Sequence, residues 1–536
     1  MTYLCVAIFV RDEAQARSDI ARAAEAGADL VELRVDDLPD ADAVGRILRA
    51  ATLPCVVTCR PTWEGGRCAL PEVDRLQAVS MMADESPAYI DLELAAYQQN
   101  AATVADLLAE FDRHQRPGLI LSSHDFHTRP ARLMSLFADL VRSPADVAKI
   151  VWTARTVRDN LEAFELLRQR AKPTIALCMG EAGLISRVLA KKFGAFLTFA
   201  ALDAGGGTAP GQVSVADMKR LYRWDAVTPA TKVYGVVGSP VGHSMSPAIH
   251  NAAFDATGFD GVYVPLLVEP GYESFKAFME TFLAADGLDL AGLSVTIPHK
   301  ENALRYLKEK GGTIDPLAER IGAVNTIVMG RLGGDAAAVA LSGTSTDYAA
   351  ILDSVTAKLG MDRSGLKGYR VAVIGAGGTG RTAVAAFAAC GATVVVYNRT
   401  RDRANALAAE FNGLPSADAK GGTPGGKVVA ADLAKLCDSC CHIYVNTTSI
   451  GMTPNAGESP FGDRAPALTP DHVVFDAVYN PVRTKLIEQA EAAGAKTITG
   501  VEMFVRQAAA QFEAWTGRPA PADVMRRVVE SRLVAN

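Results

Sequence analysis

Residues 370–403, RVAVIGAGGTGRTAVAAFAACGATVVVYNRTRDR, constrain the fold of this chain more than any other stretch. The run VAVI is too short for a helix and too uninterrupted for a half-exposed strand, so it predicts a buried parallel strand. Glycines follow at once, and then an alanine-rich helical segment leads to a second buried strand at 393–397. Together these predict a βαβ unit of about 30 residues, the length of the dinucleotide-binding fingerprint.

The same unit predicts a cofactor. Glycines let the backbone approach a pyrophosphate, and the free N–H groups at the helix start face that anion. An NAD site would carry Asp or Glu after the second strand, whereas this chain carries arginines, which bind a ribose phosphate with paired hydrogen bonds. NADP(H) is therefore predicted, the alternatives being a glycine-rich turn without a ligand and a solvated basic helix start. The predicted cofactor-binding residues of this unit are Gly375, Ala376, Gly377, Gly378, Thr379, Gly380, Asn398, Arg399, Thr400 and Arg403.

Length and composition limit the remaining possibilities. A chain of 536 residues is too long for one core and predicts two to four domains. The net charge of −6 disfavours non-specific nucleic-acid binding, and no apolar run reaches the roughly 20 residues that span a bilayer. The start, MTYLCVAIFVRDE, lacks a basic leader and is interpreted as a first strand rather than a signal peptide.

The cysteines predict a reducing, cytoplasmic location, because nine of them, an odd number, are scattered through the chain. Cys437, Cys440 and Cys441 resemble a metal knuckle, but no second Cys/His pair lies nearby. No metal site is predicted.

The first half predicts a (β/α)8 TIM barrel, because apolar strand candidates alternate with helical patterns eight times in about 200 residues. The chain as a whole is thus expected to be α/β. The strand candidates are 3–10, 29–35, 54–59, 88–94, 118–123, 147–152, 174–178 and 195–200.

Polar residues of this half cluster at the C-terminal ends of those strands, where barrels of this kind carry their chemistry. Their convergence from seven strands predicts a closed polar pocket. The residues are Glu32, Arg34, Arg60, Glu64, Asp91, Glu93, His124, Asp125, Lys149, Arg187 and Gln212.

Lys149 decides the predicted chemistry of the pocket. It stands in DVAKIVW between apolar neighbours, and burial together with nearby arginines favours a neutral amine that can attack a ketone and form a Schiff base. His124 is placed to take a proton from the adjacent carbon and then to help water leave. Taken singly, Lys149 could be a snorkelling strand lysine and His124 a satisfied core histidine. A metal-dependent hydrolase barrel would need a ligand cluster such as His-x-His, whereas His124 and His127 are three apart.

Six motifs in this half carry a resemblance: ELRVD at 32–36, CRPTWEGGR at 59–67, SSHDF at 122–126, DVAKI at 146–150, ISR at 185–187 and APGQ at 209–212. Over residues 1–225 the chain resembles type I 3-dehydroquinate dehydratase. The resemblance implies Lys149 as the Schiff-base lysine, His124 as the base and Glu64 as the partner of the histidine. It implies substrate binding by Glu32, Arg34, Arg60, Arg187, Gln212 and Thr208, the last standing where the family often has Ser.

The second half begins after a short linker, residues 222–232, with a fresh strand, VYGVVG. In GSPVGHSMSPAIHN, Ser246 is interpreted as an N-cap followed by Pro247 at the first helical position, and hydroxyls at such a helix start suit a carboxylate. Lys300 follows a strand end in GLSVTIPHKENA, where a lone lysine would ordinarily be solvated. Asn325 and Asp347 follow in IGAVNTI and SGTSTDYAA.

These signatures resemble shikimate dehydrogenase over about 232–536. The resemblance implies Lys300 and Asp347 as the catalytic pair. It implies substrate contacts at Ser244, Ser246, Thr296, Asn325, Tyr479 and Gln507, and further cofactor contacts at Thr448 and Met452 of NTTSIGM and at Gly500 and Met503. Gln511 is interpreted as structural. Ser294 and Ser345 stand where the family commonly has Asn, which leaves the exact substrate preference open.

The predicted organisation is a barrel at 1–228, a substrate-binding domain at 232–345 completed by helices at about 500–536, and an NADP-binding Rossmann domain at 346–499. Residues 414–427 are expected to form a surface loop. The resemblance implies a bifunctional enzyme that dehydrates 3-dehydroquinate and then reduces 3-dehydroshikimate to shikimate with NADPH. The alternatives are a quinate or dual quinate/shikimate dehydrogenase in the second half, and a metabolite-sensing regulator without turnover. Such a regulator should have lost Lys149, His124, Lys300 or Asp347, and all four are present.

Overall fold

A computed structural model describes residues 1–100, 117–203, 205–331, 339–413 and 425–535. The expected loop at 414–427 therefore lies mostly outside the described residues. Two compact units are found, Met1–Pro247 with Asp260–Leu290, and Ala248–Phe259 with Ala291–Asn536. The boundaries at 228, 345 and 499 stay predictions. Among the described residues, the helices are all too short or too polar to cross a membrane.

The first unit contains the predicted barrel. Its eight strands are parallel and run in the order β7-β6-β5-β4-β3-β2-β1-β8. A hydrogen bond of 2.8 Å from the Phe196 N–H to the Thr174 carbonyl joins β7 to the residue before β8. All eight predicted strands are confirmed. They are Tyr3–Phe9 (β1), Leu30–Arg34 (β2), Cys55–Thr58 (β3), Tyr89–Glu93 (β4), Gly118–Asp125 (β5), Val147–Thr153 (β6), Thr174–Met179 (β7) and Leu197–Ala200 (β8).

Helices follow the strands, and three of the described ones begin at a side-chain cap. The Asp12 carboxylate accepts the Gln15 N–H at the start of the first helix, and Asp40 and Ser214 cap two others in the same way. The described helices of the barrel are Glu13–Glu25 (α1), Ala41–Ala50 (α2), Glu72–Asp84 (α3), Leu94–Gln99 (α4), Leu133–Arg142 (α5), Asp159–Arg168 (α6), Leu184–Val188 (α7) and Val215–Arg220 (α8).

The period-two alternation of the strands decides which side chains enter the barrel. In β6, Val147 and Val151 belong to the interior apolar cluster, so Lys149 between them also points inward. In β5, Ile120 belongs to the same cluster, which places Ser122 and His124 on the inner side above it. The lower barrel is thus apolar and the part near the C-terminal strand ends is polar.

The first unit continues past the linker into the parallel pair Lys232–Gly238 (β9) and Gly261–Leu267 (β10), with Tyr272–Leu283 (α10) behind. The linker is held by Lys192, whose buried ammonium donates to the carbonyls of Pro229 and Thr231 and to Asp289 at 2.8 to 2.9 Å. Ser246–Thr257 (α9) follows β9 and crosses the boundary between the units.

The second unit contains a small group of strands, Leu290–Val295 (β11), Thr313–Ile314 (β12), Thr326–Arg331 (β13) and Val339–Thr344 (β14), in which β13 is antiparallel to β11 and β14. The helix Gly500–Thr516 packs on them. The Gln511 amide donates to the Thr326 hydroxyl at 3.0 Å and the Trp515 indole to the Ile327 carbonyl at 3.1 Å. Both side chains are buried, so Gln511 packs between the helix and these strands, as its interpretation as a structural residue predicts.

Its larger sheet is the predicted Rossmann fold. Arg370–Ile374 (β15), Thr393–Tyr397 (β16), Val428–Ala431 (β17), Ile443–Asn446 (β18), Val473–Asp476 (β19) and Lys496–Ile498 (β20) are parallel. Their order, β17-β16-β15-β18-β19-β20, corresponds to the 3-2-1-4-5-6 order of dinucleotide-binding sheets. The described helices of this unit after α9 are Lys300–Glu309 (α11), Pro316–Ile321 (α12), Thr346–Leu359 (α13), Gly378–Ala389 (α14), Arg401–Phe411 (α15), Lys485–Ala492 (α16), Gly500–Thr516 (α17) and Ala522–Ala535 (α18).

Candidate active sites

Lys149 lies at the centre of the barrel with almost no exposure. Its Nζ is 2.8 Å from Asp91 Oδ2, 3.3 Å from Glu32 Oε1 and 4.5 Å from the centre of the Phe199 ring. The expectation that arginines surround this amine is wrong for its direct neighbours, which are two carboxylates. Asp91 lies in β4 and Glu32 in β2, and both side chains point into the barrel because alternate residues of a strand face the same side.

Arg60 organises the acidic side of the pocket. Its guanidinium lies 2.6 Å from Asp91, 2.5 Å from Glu93 and 2.8 Å from the Ser122 hydroxyl. Burial alone would raise the pKa of Asp91, but the charges of Arg60 and Lys149 outweigh it and hold that pKa well below its usual range. Asp91, which lies between Arg60 and Lys149, therefore favours its ionised form at neutral pH.

His124 and Glu64 form a contact between side chains 60 residues apart. His124 Nδ1 lies 2.8 Å from Glu64 Oε1, and the same oxygen accepts the His124 backbone N–H at 3.0 Å. Because Glu64 Oε1 already accepts a hydrogen bond from the backbone, we place the ring proton of His124 on Nδ1, where it is donated to the same oxygen. The Nε2 atom then keeps a free lone pair. Burial, aided by the charges of Arg60 and Lys149, lowers the pKa of His124 well below its ordinary value. Burial also raises the pKa of Glu64 to about 8. A neutral imidazole can act as a base.

The predicted pocket of the barrel is one cavity. Arg187 lines it with its Nε and Nη2 buried and without a hydrogen-bond partner among the described residues, and burial lowers its pKa to about 10. Thr208 and Gln212 are joined by a 2.8 Å bond from the Thr208 N–H to the Gln212 side-chain oxygen. His127 is exposed. The polar residues on the cavity wall are Glu32, Arg34, Arg60, His124, Lys149, Arg187, Thr208 and Gln212.

The second unit brings Lys300 and Asp347 together. Lys300 starts α11, Asp347 lies in the first turn of α13, and Nζ is 2.6 Å from Oδ2 with both side chains partly exposed. The side-chain oxygen of Asn325 accepts the backbone N–H of Thr346 at 2.8 Å. Ser294, which stands where the family commonly has Asn, donates its hydroxyl hydrogen to the Gln511 side-chain oxygen at 2.9 Å.

The remaining predicted substrate contacts are placed as follows. Ser244 and Ser246 lie in the first unit, where the Ser244 hydroxyl accepts the Ser246 N–H at 3.2 Å. Because the helix already begins at Ser246, that residue is not the N-cap, and the prediction of Pro247 as first helical residue is wrong by one position. Tyr479 is stacked on Phe504, and Gln507 is nearly buried with its amide donated to the Phe504 carbonyl. Thr296 directly follows β11.

The glycine turn after β15 fits a pyrophosphate. A Cβ at Gly380 would lie 2.3 Å from the Gly375 carbonyl oxygen, so only glycine permits this tight turn, whereas Gly377 and Gly378 face open space. The helix α14 begins here without a side-chain cap. Its first N–H groups are thus available to an anion beside an accessible backbone, which is the donor set that a dinucleotide needs. Asn398 joins this turn by accepting the Ala376 N–H at 3.2 Å.

A second cavity opens beside the ends of β16 and β17. The basic side chains on its wall are Arg399, Arg401 and Lys435, and Asn398 lines it as well. Lys435 was not predicted, because it comes from the turn after β17, far from the motif in sequence. Arg403 is exposed on α15 and is not part of this wall.

The other predicted cofactor residues of the second unit lie in four places. In the loop after β18, the Thr448 hydroxyl donates to the Asn446 side-chain oxygen at 2.7 Å, and Met452 is partly exposed. Gly500 starts α17 where a Cβ would lie 2.4 Å from the Val478 carbonyl oxygen. Met503 packs against the Rossmann core, and Thr379 and Thr400 stand at the starts of α14 and α15.

Four family models match the chain. The type I 3-dehydroquinase model matches residues 4–229, and the shikimate dehydrogenase substrate binding domain matches 236–327. The shikimate/quinate 5-dehydrogenase model matches 357–419, and the shikimate 5′-dehydrogenase C-terminal domain matches 500–530.

Similar proteins cover one half or nearly all of the chain. The chloroplastic bifunctional 3-dehydroquinate dehydratase/shikimate dehydrogenase of Arabidopsis thaliana is 38% identical over 524 residues, which are 94% of this chain and 80% of that protein. The NADP(+) shikimate dehydrogenase of Methanosarcina barkeri is 39% identical over 56% of this chain and 99% of its own length. The structure of shikimate 5-dehydrogenase from Thermus thermophilus with NADP(H) and shikimate is 32% identical, with a TM-score of 0.45, and covers 56% of this chain and 100% of that one.

Proposed function

Because the chain belongs to the family of bifunctional 3-dehydroquinate dehydratase/shikimate dehydrogenases, we propose that its two predicted sites carry out successive steps at the residues named above. The enzyme is a lyase and an oxidoreductase of the shikimate pathway. The barrel dehydrates 3-dehydroquinate to 3-dehydroshikimate, and the second half reduces 3-dehydroshikimate to shikimate with NADPH. Both matched families and the full-length relative support this assignment.

In the barrel, the nucleophile is Lys149. Lys149 Nζ first passes a proton to a neighbouring carboxylate, and the amine then attacks the substrate ketone. Return of that proton to the hydroxyl group of the adduct lets water leave and gives a protonated imine on Nζ. The imine withdraws electrons from the adjacent carbon, and His124 Nε2 removes a proton there. The same imidazole then returns the proton to the departing hydroxyl group, so that water leaves and a conjugated imine forms. Hydrolysis of the imine releases the enone and restores Lys149.

The observation that carries this proposal is the enclosure of an amine, a neutral imidazole and an unpartnered guanidinium in one cavity. Arg187 has two buried nitrogen atoms, Nε and Nη2, whose N–H groups lack partners among the described residues, a costly arrangement unless a ligand accepts them. A carboxylate matches a guanidinium in charge and in geometry. We assign Arg187 to the substrate carboxylate.

In the second unit, Lys300 and Asp347 are proposed to act on the carbonyl that becomes an alcohol. NADPH supplies the hydride when bound. Lys300, held by Asp347 at 2.6 Å, donates a proton to the oxygen that gains negative charge. Asp347, at the start of a helix, keeps that ammonium in place and accepts hydrogen bonds from substrate hydroxyls. Asn398 and Arg399 are proposed to hold the ribose phosphate of the cofactor.

A coupled assay tests the proposal. Wild-type protein is given 3-dehydroquinate and NADPH while enone absorbance and NADPH loss are followed together. Sodium borohydride added with 3-dehydroquinate should fix a stable adduct that peptide mass mapping places on Lys149. An adduct elsewhere, or full dehydration without one, would exclude the Schiff base. Oxidation of quinate as fast as shikimate would identify a dual dehydrogenase instead.

A further inference from the structure

The loop of residues 60–67 follows β3 and carries Glu64 near its middle. It folds back on itself, since the Cys68 N–H donates to the Arg60 carbonyl at 3.0 Å and the Gly66 N–H to the Pro61 carbonyl at 2.9 Å. A Cβ at Gly66 would lie 2.0 Å from the Arg60 carbonyl oxygen, so the closure is tight. The position of Glu64 therefore depends on how both ends of this loop are held.

Both ends are held by one carboxylate. Asp36 Oδ1 accepts the backbone N–H of Arg60, and Oδ2 accepts the backbone N–H of Arg67, each at 3.0 Å. The same two oxygens receive the Arg34 guanidinium at 3.1 and 2.7 Å. The Asp36 side chain has no exposure to solvent, so these bonds are made in a low-dielectric environment, where charge-assisted bonds are strong.

A second buried charge acts on the same peptide from the other side. Arg75, from α3, donates to the Cys59 carbonyl at 2.7 Å and to Glu93 at 2.7 Å. The peptide that joins Cys59 to Arg60 is thus held at its oxygen by Arg75 and at its N–H by Asp36. Its orientation is fixed before the loop begins.

We propose that Asp36 is a positioning residue for proton transfer in the barrel. By fastening both ends of the loop, it sets the distance between Glu64 and His124. Asp36 does not line the cavity and touches no reacting atom. The inference rests on the proposed dehydratase function and adds a residue to it.

The test uses Asp36→Asn in the full chain, with Asp37→Asn as matched control. Asp37 is the next residue, but it is exposed and only meets the Arg67 side chain at 3.4 Å. An amide keeps one oxygen acceptor and loses the other, so one end of the loop is released. Because misplacement by about 1 Å can cost a factor of about 100 in rate, we expect the dehydration kcat to fall roughly 10- to 100-fold in Asp36→Asn and to stay unchanged in Asp37→Asn.

Three further readouts separate positioning from loss of structure. Borohydride trapping on Lys149 should remain at the wild-type level in Asp36→Asn, because imine formation does not need Glu64. NADPH-dependent reduction of 3-dehydroshikimate should also be retained. In the double variant Asp36→Asn/Glu64→Gln, the rate should be about that of Glu64→Gln alone, because two changes that act through one group are not additive.

The inference would be overturned if the losses in dehydration rate from Asp36→Asn and Glu64→Gln combined fully in the double variant. A dehydration rate of Asp36→Asn equal to that of wild type would overturn it as well. Loss of trapping in Asp36→Asn would also overturn it, because the residue would then serve binding or folding. Absence of trapping and dehydration in the wild type would instead remove the proposed function itself.

Discussion

Replacing Lys149 by Met removes the amine and leaves a side chain of similar length. It tests two consequences of one arrangement, since Nζ is both the proposed nucleophile and the counter-charge of Asp91 and Glu32. Dehydration should vanish because no imine can form. The barrel should also lose stability, because the ionised carboxylate of Asp91 loses a cation partner inside a buried site.

The size of the stability loss follows from the distances. At an effective dielectric constant of about 20, unit charges 2.8 Å apart attract by roughly 6 kcal/mol. Desolvation offsets part of this, and removal of one partner from a buried pair costs about 3–5 kcal/mol. For a domain of this size each kcal/mol lowers Tm by roughly 2–4 °C, so the barrel transition should fall by roughly 6–20 °C.

The assay combines calorimetry with the two activities. The double variant Lys149→Met/Asp91→Asn removes both charges of the 2.8 Å pair and should recover only part of the lost Tm, because Arg60 also loses the Asp91 carboxylate, whereas dehydration stays absent. Reduction of 3-dehydroshikimate by NADPH should persist in both variants. Dehydration by Lys149→Met, or an unchanged Tm in that variant, would refute the reasoning.

Three other outcomes are expected. Lys300→Ala should lower the kcat of reduction about 10²- to 10⁴-fold, with NADP+ binding retained in equilibrium titrations; unchanged turnover would remove Lys300 from the reaction. Glu64, with a pKa raised to about 8, keeps a proton that the unfolded chain releases at lower pH, so its contribution to stability falls as pH rises from about 4 to about 8. The Tm of Glu64→Gln relative to wild type should therefore rise between about pH 4 and pH 8, and a constant difference would contradict the burial argument. Arg399→Ala should weaken 2′,5′-ADP binding about 10- to 100-fold and leave 5′-AMP binding unchanged, because a charge-assisted bond to phosphate contributes about 1.5–3 kcal/mol; equal losses for both nucleotides would exclude a contact with the 2′-phosphate.

Several features of the fold could be predicted because their causes are local. Strand patterns and the glycine turn act over a few residues, so the eight barrel strands and the βαβ unit at 370–397 were found at their observed places. The resemblance supplied roles for Lys149, His124 and Glu64, and the geometry places these three within one site. Lys435, which lines the cavity beside Arg399, escaped prediction because nothing near it in sequence points to that cavity.

The sequence by itself determined which side chains enter the barrel, since alternate residues of a strand must point to the same side. It could not determine which charges meet. Lys149 lies 58 residues from Asp91 and 117 from Glu32, and the pairing depends on the register of strands that contact one another only in the folded barrel. The same holds for Asp36, whose two carboxylate oxygens accept backbone N–H groups at the two ends of a loop, 24 and 31 residues away in sequence. Tertiary structure alone placed the proposed nucleophile beside two carboxylates and the proposed base beside Glu64, in the middle of a loop that is held at both ends.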